Sequence, residues 1–141
     1  MPKSVLGPAL YPAFCLGLTR RNDLSKSFAK PLDATLFSQH PTDYVAYALA
    51  GRIPKLLAEQ PCFCPCHFIH HHQSLLDYFA GQHGRECGIC KQEVIFCHEQ
   101  QRQGKSRRQI RKGLSGGAWT KIDVESYTKA FLSQTNGPEN R

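Results

Sequence analysis

Between Pro61 and Cys90 the chain places five cysteines, Cys62, Cys64 and Cys66 in a Cys-x-Cys-x-Cys run and Cys87 and Cys90 in a Cys-x-x-Cys pair, with His67, His70, His71 and His72 between them. Thiolate sulfur and imidazole nitrogen are the donors that hold zinc, and thiolates also select copper(I) and build iron-sulfur clusters. Cysteines three residues apart in a first helical turn point the same way. The unpaired amides there carry partial positive charge and favour the thiolate. The Cys-x-Cys-x-Cys run must bend to bring its sulfurs together, because alternate residues of an extended strand share a face but stand about 6 to 7 Å apart. Pro65 supports such a bend.

These constraints give Cys62, Cys64, Cys66, Cys87 and Cys90 as candidate metal ligands. Adjacent histidines cannot all face one ion, and His72 joins the set because it lies just before the Ser74 helix start. Cys97 lies about 10 Å along a helix from Cys90, beyond the reach of zinc bonds of about 2.3 Å, and it is assigned to the core, as is Cys15. His40, His83 and His98 receive no partner. Zinc leads as the metal, with copper(I) or an iron-sulfur cluster as the other candidates. The alternative function is redox or electron transfer at the same cysteines, through an iron-sulfur centre or thiol-disulfide exchange. The strand that precedes a thioredoxin-like Cys-x-x-Cys is missing from the pattern, and no nucleophile elbow or zinc-protease helix appears, which weighs against an enzyme.

The elements that must position these donors read as helices. Apolar residues at Tyr44, Val45, Ala48 and Leu49 share one face, with Thr42 as the expected N-cap. Pro54 fits the first turn of a short second helix. Ser74 to Asp77 and Ser106 to Gln109 have capping-box spacing. The longest helix is expected over about 86–103, with Cys87, Cys90, Val94, Cys97 and Gln101 on one face, and a last helix begins near Asp123. The fold class is all-α, a small helical domain with a cysteine-rich metal-binding loop. Residues 1–41, which hold five prolines, read as an irregular N-terminal extension, 42–135 as the helical domain and 136–141 as a tail.

The 141 residues and net charge of +7 bound the function further. That length suits one domain. Residues 42–101 carry four Lys or Arg against six Asp or Glu, so the basic character belongs to the ends and is separable from the thiols. Arg102, Lys105, Arg107, Arg108, Arg111 and Lys112 concentrate charge in residues 102–112. An unknown acidic protein partner or a membrane surface suits that segment better than nucleic acid, since no base-reading module or stacking aromatic row accompanies the charge. Gly104-Lys105-Ser106 is not a P-loop, because Glu99 stands where its first glycine belongs. No stretch approaches the roughly 18 apolar residues of a membrane span. Pro8 and Pro12 interrupt the apolar run from Val5 to Leu18, so it does not read as a cleaved export signal and a cytoplasmic location is expected.

Pro61-Cys62-Phe63-Cys64-Pro65-Cys66, His72-Gln73-Ser74-Leu75-Leu76-Asp77-Tyr78-Phe79, His83, Cys87-Gly88-Ile89-Cys90, Gly104-Lys105-Ser106 and Ile110-Arg111 together resemble the bacterial PCYCGC-motif (CYCXC) family over roughly 44–112. The resemblance implies a cysteine-centred function, with exported or lipid-anchored members common. Cys62, Cys64, Cys66, His72, Cys87 and Cys90 match its pattern. Pro65 stands where glycine is usual, and Tyr78 where a further cysteine is common, which implies fewer metal equivalents.

Overall fold

The computed structural model describes residues 30–64 and 73–135. Among them the regular structure is helical: α1 (Pro41–Arg52), α2 (Pro54–Ala58), α3 (Leu75–Ala80), α4 (His83–Glu86), α5 (Gly88–Arg102), α6 (Arg107–Ser115) and α7 (Val124–Thr135), with short 3-10 turns at Ala34–Phe37 and Ala118–Lys121. The all-α expectation holds.

Two prolines set the first boundaries. Pro41 and Pro54 each occupy a first helical turn, where a missing N–H costs no intrahelical bond. Pro41 moves the start of α1 upstream of the expected Thr42 cap: His40 is the N-cap residue, and its side chain makes no capping bond. Packing also extends upstream, since Phe37 is buried and its ring lies 4.4 Å from that of Tyr47. Tyr47 in turn meets Phe79 edge-on at 5.1 Å and donates its hydroxyl to the Gly81 carbonyl at 2.6 Å. Burial pushes the Tyr47 phenol up to about 12, so it stays a donor throughout the physiological range. α1 is thereby fixed against the C-terminal end of α3, and it also packs on α5 and α7.

The expected capping boxes divide. Ser106 and Gln109 form the full reciprocal pair at the start of α6, which turns Ile110 and Leu114 inward. At α3 the Ser74 side chain makes no capping bond, and the Asp77 carboxylate instead accepts from the Gln73 amide at 2.7 Å. Ser74 is itself buried; the Asp77 amide, which a side-chain cap would take, goes to the Ser74 carbonyl, and the Leu75 amide to the Gln60 carbonyl.

α5 is the central helix. Cys90, Val94 and Cys97 are fully buried as the spacing predicts, but Gln101 is exposed. Asp43 of α1 is buried and pairs with Arg85 of α4 and Lys91 of α5, which ties three helices at one point. At the other end Glu99 accepts from Arg102 at 2.6 Å and from the α7 hydroxyl of Tyr127, also at 2.6 Å. Burial opposes Glu99 ionisation, but the hydrogen bonds from Arg102, Tyr127 and His98 outweigh it and hold the carboxyl below its usual 4.5. A depressed carboxyl contributes stability that is present above the unfolded value and lost as pH falls through the folded one. The melting temperature of Tyr127→Phe is therefore expected to fall less steeply than the parent's between about pH 5 and about pH 3; parallel profiles would remove Glu99 from the docking of α7.

Candidate metal centre

The site forms where three segments meet: the chain after α2, the α3–α4 corner and the N-terminus of α5. Cys62 is 2% exposed, and Cys64 and Cys90 are fully buried, an unusual density of thiols inside a core. Cys62, Cys64, Cys87, Cys90 and Cys97 form no disulfide with one another. The Cys64 amide points at Cys62 Sγ at 3.5 Å, so the Cys-x-Cys segment is bent as its chemistry requires. On the helical side, Cys87 is the N-cap residue of α5, and its sulfur accepts from the Cys90 amide at 3.4 Å. A thiol therefore takes the place of the usual Ser or Asp cap, and Cys90 follows one turn inside.

The sulfurs are close. Cys62 Sγ and Cys90 Sγ stand 3.7 Å apart, and Cys90 Sγ and Cys64 Sγ 3.9 Å. Tetrahedral coordination with zinc–sulfur bonds of about 2.3 Å has a sulfur–sulfur edge of about 3.8 Å. Two groups of donor atoms lie mutually within 4.8 Å: Cys62, Cys64 and Cys90, and Cys64, His83 and Cys87. The clustered, largely buried cysteines are close enough to bind a metal ion. Of the expected ligands the structure thus brings together Cys62, Cys64, Cys87 and Cys90; Cys66 and His72 lie outside the described residues. Cys97 is buried in the core and belongs to neither group.

Two participants escape the sequence reading. Glu93 is fully buried one turn beyond Cys90; it accepts from the Cys62 thiol at 2.9 Å and from the Phe63 amide at 2.8 Å. Its signal was spacing: it lies three residues after Cys90 and four before Cys97, on the cysteine face of α5. An acidic residue in a helix reads by default as solvent-facing. His83 is the other, placed at the start of α4 with its ring edge-on to Tyr78 at 4.7 Å. Tyr78 thus packs on a donor-bearing ring.

Gly84 makes this placement possible. A Cβ there would stand 2.6 Å from a ring carbon of the buried Phe79. Gly84→Ala is accordingly expected to cost about 1–3 kcal/mol, as overpacking does, and a denaturation midpoint equal to the parent's would contradict that close approach.

The electrostatics favour ionised sulfur at the loop. For Cys62, burial opposes ionisation, but hydrogen bonds from Cys64 and Cys90 prevail and the thiol is lowered. For Cys64, the hydrogen bond with Cys62 opposes ionisation, yet those with Cys87 and Cys90 bring it down to about 6. Burial pushes Cys90 up, making it the donor of the group. Burial likewise raises Glu93 to about 8 despite its bonds from Cys62 and Phe63.

The basic segment reads differently in three dimensions. Arg102 pairs with Glu99, Arg107 with Glu59, and Arg111 donates to the Glu59 carbonyl, so half of those cations brace the fold. No helix of the described residues is long and apolar enough to cross a membrane. In comparisons with protein-family models, curated proteins and solved structures, nothing matches this chain.

Proposed function

We propose that this chain is a metal-binding protein whose centre uses Cys62, Cys64, Cys87 and Cys90 to hold zinc or another soft metal such as copper(I), for metal handling or a metal-stabilised interaction rather than catalysis. The observation that carries the reading is the pair of sulfur separations, 3.7 and 3.9 Å, at the tetrahedral edge of about 3.8 Å. A cubane iron-sulfur cluster spreads its thiolates one to each iron, so sulfurs this near to one another favour thiolates that share an ion over a cubane. The resemblance to the PCYCGC-motif family supports the same cysteine-centred function, and a reducing, cytoplasmic setting suits thiols kept available for metal.

Elemental analysis and an absorption spectrum of anaerobically purified protein test it. Stoichiometric zinc without visible absorption is the expected result. Iron with visible bands would replace the proposal by the redox alternative, and metal-free protein with every thiol freely reactive would end it. Because the ligating thiols must lose their protons, apparent zinc affinity should also rise with pH.

A further inference from the structure

The donor atoms fall into two trios that share one sulfur, Cys62, Cys64 and Cys90 on one side and Cys64, His83 and Cys87 on the other, each mutually within 4.8 Å. A single tetrahedral ion needs four donors with every pair near an edge of about 3.8 Å. Among the described residues no group of four donor atoms lies within even the wider 4.8 Å limit. One ion placed in either trio leaves two donors of the other unused. Two ions joined through Cys64 use all five, since a thiolate keeps lone pairs with which to bridge.

Charge points the same way. Four thiolates around one divalent ion leave two negative charges uncompensated where Cys62, Cys64 and Cys90 are at most 2% exposed, and charge without a counter-charge is costly in such a place. Two divalent ions cancel it. The halves also differ in access: the first trio is buried throughout, whereas His83 of the second is partly exposed. Each trio supplies three donors, and a position left open toward solvent is where a metal meets an outside ligand.

We infer that the centre is a two-ion site bridged by Cys64, with an inner ion held by Cys62, Cys64 and Cys90 and an outer, exchangeable ion held by Cys64, His83 and Cys87. This rests on the metal-binding reading above. It makes the inner ion a clasp between the loop and α5, and the outer ion the one handed to or taken from a thiol or imidazole ligand.

The test is zinc stoichiometry and chelator-driven zinc release on the full chain. The parent should bind two equivalents and release them in a fast and a slow phase. His83→Ala should bind one equivalent and lose the fast phase alone. Cys87→Ser, with the same expectation, serves if circular dichroism shows His83→Ala to be misfolded. A parent that binds one equivalent, releases zinc in a single phase, or keeps both equivalents in His83→Ala and Cys87→Ser would overturn the two-ion arrangement while leaving metal binding intact. A parent that binds none would overturn both.

Discussion

Cys64→Ser should abolish the stabilisation that zinc confers on this protein. Cys64 belongs to both donor trios and is fully buried, so no single exchange touches more of the centre. A metal that binds only the folded state stabilises it by about 4 kcal/mol when its free concentration is a thousand times Kd. Chemical denaturation with and without zinc reads this directly. The parent midpoint should rise on adding zinc and that of Cys64→Ser should not move, whereas Cys97→Ser, outside both trios, should keep the full metal response. A zinc-induced shift of equal size in Cys64→Ser and parent would remove Cys64 from the centre.

Glu93 supports the second large effect. Its side chain is fully buried and holds both the Cys62 thiol and the Phe63 amide. Glu93→Ala leaves that amide without a partner and opens a cavity beneath the loop, a combined cost of about 3–5 kcal/mol by analogy with other buried truncations. Glu93→Gln should be much milder, because the amide oxygen still accepts from Phe63 and the amide nitrogen can donate to the Cys62 sulfur. Denaturant unfolding of the metal-free forms separates the two. Equal destabilisation by Ala and Gln would mean that the negative charge, not the pair of hydrogen bonds, is what the site requires.

Much of this architecture was legible in the chain because it depends on short-range physics. Pro54 in a first helical turn, the Ser106–Gln109 box and the shared buried face of Cys90, Val94 and Cys97 each follow from backbone geometry or helical period within a few residues. The misses share the opposite property. Ser74 was expected to cap by its side chain, but the residue is buried beside Gln60, whose carbonyl accepts from the adjoining Leu75 amide, and its hydroxyl makes no capping bond. Gln101 continued the cysteine row by spacing, yet it is exposed, while α7 docks on the same turn through Glu99.

The sequence by itself determined the donor chemistry: which thiols are grouped, that Cys87 and Cys90 project together from a helix start, that the Cys-x-Cys segment must turn, and that Cys97 stands apart. Helical rise and sulfur chemistry are local, so residue type and spacing suffice. Only the tertiary structure decided that His83 joins Cys64 and Cys87, that Glu93 lies beneath the loop, and that the donors divide into two trios sharing Cys64. Those facts hang on how close α4 lies against Phe79 and on how α1, α4 and α5 are tied through Asp43. Contacts between residues 19 to 48 positions apart leave no periodic trace in the chain, because they are selected by packing and burial rather than by spacing.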